Sequence, residues 1–338
     1  MLAALHKGKV VLIALMASTL LFAACTSKDK STGNAEQTMG TVSQTEATLS
    51  PSGGKNASET RTVSHTLGEA QVPAEPKRVI TLTAQFTDHL LSLDLKPVGT
   101  ISSEAGKEVS WLHERLAGTT YIGTMQAPDM EMMMSLKPDL ILGVDKHHSK
   151  AYDTLNKIAP TVFIDDMEAD WRELYRYAAS VVNKKELAEK KLIEFDGRIA
   201  DAKAKLAGKL NGQTVLFMRV HHKESRLFGV NSHIGKIAYG GLGLSYPSIT
   251  PTDEGEKPIS LETIPEFNPD HLFLFDTNKD ENKKVLEQLQ QNPLWKNANA
   301  VKNGNVYFLG DLNDSKAGKG LVLYNLILDE ILKVLSGK

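Results

Sequence analysis

Beyond residue 62 the chain alternates short apolar, β-branched runs with mixed polar and apolar stretches of helical length. The runs fall at Val79 to Leu82, Val98 to Ile101, Leu140 to Leu142 and Thr161 to Ile164, and a second set follows at Thr214 to Met218, Leu227 to Val230, His271 to Phe275 and Val306 to Leu309. Strands alternating with helices predict an α/β layering around a mostly parallel sheet. Between the two sets, apolar residues recur at Ala188, Leu192, Phe195, Ile199, Ala202 and Leu206 in steps of three and four. That spacing predicts one amphipathic helix over 184–207, closed by Gly208. Gly197 inside it costs about 1 kcal/mol of propensity, which the spaced apolar contacts offset. The expected architecture is therefore α/β, with two Rossmann-like lobes, 63–183 and 208–338, joined by a single long rigid helix.

The N-terminal pattern is of a different kind. Lys7 and Lys9 precede an apolar run from Val10 to Phe22, which leads into Ala23, Ala24 and the only cysteine, Cys25. This is the layout of a secretory signal, residues 1–24, with its cleavage site. The run is 13 residues long, short of the ~20 that a helix needs to cross a bilayer core. Cys25 after the small pair resembles the bacterial lipobox, in which the thiol carries a diacylglyceryl group; Phe22 stands where that pattern usually has leucine. Segment 25–62 is rich in Ser, Thr, Gly, Asn, Gln and Glu. It buries too little apolar surface to offset its ordering entropy, and so reads as a flexible lipidated tether. No cysteine follows, which leaves the mature protein without disulfide or thiol chemistry.

Composition narrows the function classes. A length of 338 residues with 41% hydrophobic and 24% charged side chains suits two domains, each with its own core. The 39 basic residues are matched by 41 acidic ones and form no basic stripe, so nucleic acid is not an expected partner.

An internal repeat is the strongest single feature. Glu131, Pro138, Asp139 and Asp145 recur as Glu262, Pro269, Asp270 and Asp276, each displaced by the same 131 residues, and apolar residues fill the strand after each Pro-Asp pair. Each glutamate falls near the start of a predicted helix, where a carboxylate favours the helix dipole by about 0.3–1 kcal/mol. That structural reason does not by itself call for the same position twice.

Further stretches carry a resemblance. They are Val72-Pro73 with Pro76-Lys77-Arg78-Val79, Pro97-Val98-Gly99, Ile122-Gly123 leading to Pro128 and Glu131, Leu136-Lys137-Pro138-Asp139-Leu140-Ile141, and Ile158-Ala159-Pro160-Thr161-Val162. They continue with Ile259-Ser260-Leu261-Glu262, Asn268-Pro269-Asp270, Asn292-Pro293-Leu294-Trp295, and Ala300-Val301-Lys302 before Val306-Tyr307. In this order they resemble the periplasmic-type binding proteins that serve bacterial ABC importers of ferric siderophores, haem and cobalamin. The segments Lys146 to Tyr152 and Met218 to Val220 look most like the iron-hydroxamate and iron-citrate binders of Gram-positive bacteria. The resemblance implies a shallow cleft between two lobes braced by a helix, no enzymatic activity and no resident cofactor. It implies a monomer, lipid-anchored at the outer face of the cell membrane, that hands an Fe(III)-siderophore complex to a permease and its ATPase. It also implies docking of Glu131 and Glu262, one per lobe, onto arginines of that permease.

A ferric chelate presents polarised or anionic oxygens, which fixed cationic donors recognise, arginine best where its planar fork reaches two of them. Arg219 follows the predicted strand from Thr214, at the carboxyl edge where open α/β sheets place ligands; it can equally pair with an acidic neighbour at the rim. His147 and His148 follow the strand from Leu140 at the equivalent edge of the other lobe. His222 and Arg226 lie beyond Arg219. Trp111 is positioned either to pack on the organic part of a ligand or to join the core. Met130, Met132, Met133 and Met134, with Met125, read as a packed helix face rather than soft-metal ligands. Direct capture of zinc is the nearest rival, but zinc needs three or four converging ligands, and neighbours such as His221-His222 would point apart on a strand. Against an enzyme, the chain has no Gly-x-Ser-x-Gly elbow, no His-Glu-x-x-His and no phosphate-binding loop, and Gly240-Gly241-Leu242-Gly243 lacks the third spaced glycine of a dinucleotide site.

Overall fold

Each predicted apolar run becomes a strand, and the strands assemble into two separate sheets. The computed structural model describes residues 59–102, 110–164, 170–260, 268–275, 280–310, 312 and 319–337. Cys25, Glu262 and Asp276 lie outside the described residues, as does most of the segment from Asp311 to Gly318. The strands are β1 (Thr60–His65), β2 (Gly68–Pro73), β3 (Val79–Thr81), β4 (Gly99–Ser102), β5 (Thr120–Thr124), β6 (Ala127–Pro128), β7 (Leu140–Val144) and β8 (Thr161–Ile164). A later group comprises β9 (Val215–Arg219), β10 (Ser225–Phe228), β11 (Glu256–Ile259), β12 (His271–Phe275) and β13 (Val306–Phe308). The helices of the first half are α1 (Ala84–Ser92), α2 (Met130–Ser135), α3 (Asp145–His148), α4 (Tyr152–Ile158), α5 (Trp171–Val181) and α6 (Lys185–Leu206). Those of the second half are α7 (His233–Gly235), α8 (Asp280–Gln291), α9 (Pro293–Asn297), α10 (Asn299–Lys302) and α11 (Leu321–Leu335).

The first sheet has the order β6-β5-β4-β3-β7-β8, and the second β11-β10-β9-β12-β13. The central strands are parallel in both, while β6, β10 and the β1-β2 hairpin pair antiparallel. Segments with weak sequence signals account for the strands that periodicity does not predict. In β1 only Val63 is buried, and β11 is an edge strand carrying Glu256, Lys257 and Pro258, residues that protect an edge rather than mark a core. The expected tether boundary at Thr62 moves back accordingly, because β1 begins at Thr60.

Alternation along the strands splits the apolar side chains between layers. Ile80, Ile141 and Phe163 meet Met133 and Leu155 on one face of the first sheet. Leu216, Met218, Leu272 and Leu274 meet Leu289 and Trp295 on one face of the second. The opposite faces share one continuous core, in which Leu140, Leu142 and Val144 join Phe217, Phe228, Phe273 and Phe275 through α1, α5, α6 and α11. The methionine helix α2 is only partly a packed face: Met133 is buried, whereas Met132 and Met134 are 37% and 60% exposed.

The connection between the lobes is broader than one strut. Helix α6 spans the expected segment and leads directly into the second sheet. Helix α11 is apolar nearly all round, burying Leu321, Val322, Leu323, Tyr324, Ile327, Leu328, Ile331 and Leu335. Such a helix needs cover on more than one side, and it finds it against α1 of the first lobe and α6. Arg198 of α6 bonds Asn325 and Asp329 of α11, and Trp171 of α5 packs edge-on against Tyr324 at 4.8 Å. The C-terminal stretch assigned by sequence to the second lobe thus returns to the first.

A buried carboxylate makes that return possible. Gly320 precedes α11 and offers no capping side chain. Asp88 of α1 supplies the cap instead: its Oδ1 accepts from Val322 N and its Oδ2 from Leu323 N, both at 2.9 Å. A Cβ on residue 320 would lie 2.1 Å from Asp88 Oδ1, so glycine is required there.

The repeated Pro-Asp pairs also have a common task. Asp139 accepts from Lys77 N and Arg78 N at 2.8 and 2.9 Å, just ahead of β3. Asp270 accepts from Thr214 N at 2.8 Å, just ahead of β9. Lys137 and Asn268, the residues before the two prolines, both take positive φ, 47° and 27°. Each copy therefore turns the chain out of the preceding segment and pins the neighbouring parallel strand with one carboxylate. Asp139→Ala and Asp270→Ala should each lower stability by roughly 1–2 kcal/mol through lost charge-assisted bonds, read as a reduced urea midpoint; an unchanged midpoint in both would refute the pinning role.

Asp88 and His89 titrate against each other. Burial pushes the Asp88 carboxyl up to about 6, although Val322 N–H, Leu323 N–H and the nearby Arg115 pull it down. Burial holds the His89 imidazole down to about 3, and neither ring nitrogen finds a hydrogen-bond partner among the described residues. The native state thus keeps a proton on Asp88 that the unfolded chain releases above about pH 4, a contribution lost as pH rises through about 6. It refuses a proton at His89 that the unfolded chain takes below about pH 6.5, a contribution lost as pH falls, at up to ~1.4 kcal/mol per unit. Between about pH 4 and 6 the two slopes oppose each other. In Asp88→Asn only the histidine slope remains, so the thermal midpoint of this variant, followed by circular dichroism, should fall more steeply from pH 6 to 4 than that of the natural chain.

Candidate ligand-binding edges

Ligands of open parallel sheets bind beyond the carboxyl ends of the strands, which directs attention to the ends of β7 and β9. At β7 the chain turns from Val144 into α3 and carries His147 and His148 with it. His147 stays exposed. His148 does not: it is buried, with Nε2 2.9 Å from Met125 O and Nδ1 3.1 Å from Val144 N. A neutral ring donating from Nε2 and accepting at Nδ1 satisfies both contacts. Burial lowers its pKa, with the two backbone bonds opposing and the His147 charge adding to the effect. Gly143 makes room for the ring, since a Cβ there would approach Phe163 Cε1 to 2.9 Å and His148 Nδ1 to 3.2 Å. His148 therefore clasps α3 to the β5–β6 turn, and of the two histidines at this edge only His147 is exposed.

Trp111 takes the core position that the sequence also allowed. It lies in the shared core beside Asp88, packed among apolar residues. A buried hydroxyl triangle, which no sequence pattern announces, links β3, α1 and β4. Thr81 Oγ1 lies 2.6 Å from Thr87 Oγ1 and 3.1 Å from Thr100 Oγ1, and Thr87 and Thr100 are 2.7 Å apart.

At the second edge the cationic candidates come together, each with a carboxylate. Arg219 ends β9 on the face that carries Phe217, and its side chain reaches over β10 to Glu256 of β11, Nη2 to Oε2 3.1 Å. The two side chains are 13% and 23% exposed. Arginine Nε is buried without a hydrogen-bond partner among the described residues, so half of the fork stands uncommitted. Arg226, opposite Arg219 in the β9–β10 ladder, pairs with Glu224 through Nη2 at 2.6 Å and Nε at 2.9 Å. His222 Nδ1 lies 3.3 Å from Glu281 Oε1 at the start of α8. Arg219 thus has the acidic neighbour that the sequence allowed, and Glu256 and Glu281 are distant in the chain from Arg219 and His222, which leaves those pairings without a local sequence signal. Charge here is held in fixed pairs, so an oxygen-rich ligand would meet oriented guanidinium edges rather than an excess of positive charge.

Glu131 stands exposed in the first turn of α2, which Asp129 caps by accepting from Met132 N at 2.9 Å. The exposed Met132 and Met134 flank it on the same short helix.

Comparison with known proteins places the chain in a family. The profile of the family described as periplasmic binding protein matches residues 79–312. The probable siderophore-binding lipoprotein YfiY of Bacillus subtilis is 35% identical over 296 residues, which cover 82% of this chain and 88% of that one. The Fe(3+)-citrate-binding protein YfmC of the same organism is 32% identical over 259 residues, covering 76% and 80%. Among solved structures, Staphylococcus aureus SirA complexed with staphyloferrin B aligns with a TM-score of 0.64 at 26% identity, over 82% of this chain and 98% of its own. With the profile spanning both sheets and the relatives matched over most of their length, this two-lobed α/β chain belongs to the periplasmic binding protein family.

Proposed function

We propose that the chain is the substrate-binding component of a bacterial ABC importer and that it captures a ferric siderophore of the hydroxamate or citrate type. The observation that carries this reading is the 35% identity to a siderophore-binding lipoprotein over 82% of the chain. The geometry of the second edge supports it. Arg219 and Arg226 converge at the carboxyl end of β9, and arginine forks suit the oxygens around a chelated ferric ion. His147, exposed at the end of β7, is the donor offered by the first lobe. Cys25 anchors the exported chain through a lipid, segment 25–62 gives it reach, and it works as a monomer beside the permease and ATPase. Glu131 and Glu262 are the docking carboxylates, one on each lobe, through which the permease senses the spacing of the lobes.

The ligand is tested by tryptophan fluorescence, titrating the purified chain with ferric hydroxamates, ferric citrate, ferric catecholates, haem and cobalamin; a response confined to haem or cobalamin would overturn the assignment. Arg219→Ala should weaken ferric-chelate binding by roughly 1.5–3 kcal/mol. Glu256→Gln should act in the opposite sense for an anionic chelate, because it releases the guanidinium from its partner while keeping the shape of the rim; equal affinity of both variants and the natural chain removes Arg219 from the site.

Docking is tested separately. Charge reversal of both glutamates, Glu131→Lys with Glu262→Lys, should leave ligand affinity intact and abolish uptake by cells, and normal uptake in the double variant would refute the docking role.

A further inference from the structure

Two imidazoles and a carboxylate meet at the tip of the β9–β10 hairpin. His221 and His222 lie just past Arg219, in the connection to β10, and Glu281 lies in the first turn of α8. One ligand atom from each of the three comes within 4.8 Å of the others. Adjacent residues on a strand would point apart, but these two have left the strand, and their rings lie 4.4 Å apart at an interplanar angle of 33°. The backbone that carries them is anchored: His222 N donates to Oδ1 of the buried Asn282 at 2.8 Å, and His221 N donates to Ser225 Oγ at 3.4 Å.

We propose that His221, His222 and Glu281 form a site for a borderline divalent metal ion of the zinc class, separate from the capture of a ferric chelate. Two imidazole nitrogens and one carboxylate oxygen are a donor set that suits zinc or cobalt, whereas magnesium and calcium favour oxygen alone. Three protein ligands leave a fourth position for water or for an oxygen donor from solution. Bonds of about 2 Å in a tetrahedron set donor atoms about 3.3 Å apart. His222 Nδ1 and Glu281 Oε1 already stand at 3.3 Å, so closing the site requires movement mainly of His221. That movement gives up, among the contacts of His221, the bond from Lys223 N to His221 Nδ1 at 3.2 Å. Ligation at either ring nitrogen gives that bond up, since binding through Nε2 places the ring proton on Nδ1.

The test is isothermal titration of the full chain with Zn2+ in metal-free buffer, paired with the visible absorption of bound Co2+. One ion per chain is expected, with a cobalt spectrum of tetrahedral intensity. Glu281→Gln and His222→Ala should each weaken Zn2+ binding at least tenfold, while His113→Ala, a change at an exposed histidine elsewhere, should not. Circular dichroism melts of the variants separate loss of the site from loss of the fold. Absence of any Zn2+ heat and Co2+ spectrum, or binding that survives both site substitutions in folded protein, overturns the proposal. Neither result bears on the ferric-chelate titration, which is read with a different ligand.

Discussion

Asp88 is the contact on which the arrangement of the whole chain depends. It receives two backbone N–H groups from the start of the last helix, and through them fastens a helix that follows the second sheet to a helix that follows the first strand of the first sheet. Removing the carboxylate from water is costly, and the two donors at a helix N-terminus offset part of that cost, although burial still raises its pKa to about 6. Gly320 must have no side chain for the carboxylate to approach, so two residues far apart in sequence are chosen together. The aromatic packing of Trp171 against Tyr324 and the bonds from Arg198 to α11 are built around the position this cap defines.

The same economy governs the edges of the sheets. Asp139 and Asp270 set the start of β3 and β9 against their parallel neighbours, and setting the start of β9 also sets its far end, where Arg219 emerges. Arg219 is then steadied by Glu256 across the intervening strand. A long cation held in this way loses little rotamer freedom when a ligand arrives, which favours binding without adding charge. Lobes that share a core with α1, α5, α6 and α11 favour such preset donors over induced fit.

Pairing also shapes selectivity. Three of the nitrogen-bearing side chains at this edge each have a glutamate beside them: Arg219 with Glu256, Arg226 with Glu224, His222 with Glu281. As the proposed binding edge, it would discriminate by direction, offering hydrogen-bond donors at defined angles, rather than by attracting any anion. At the hairpin tip the same principle gives a glutamate and two histidines the geometry of a metal-binding triad.

Local order was legible from the residues alone. Period-two and period-3.6 patterns located the sheet-forming runs and helix α6, because burial of one face acts on neighbours a few residues apart. Constant spacing revealed the two Pro-Asp units. The roles of polar side chains were a different matter, since each depends on which atoms arrive from elsewhere. His148 is held by Met125 O and Trp111 packs beside Asp88, contacts with partners that no local sequence pattern shows. His221 and His222 looked divergent and converge, because the strand ends at Arg219. Asp88 gave no signal at all: its partners lie 234 and 235 residues away, and only the folded chain brings a carboxylate and a bare helix terminus to hydrogen-bonding distance.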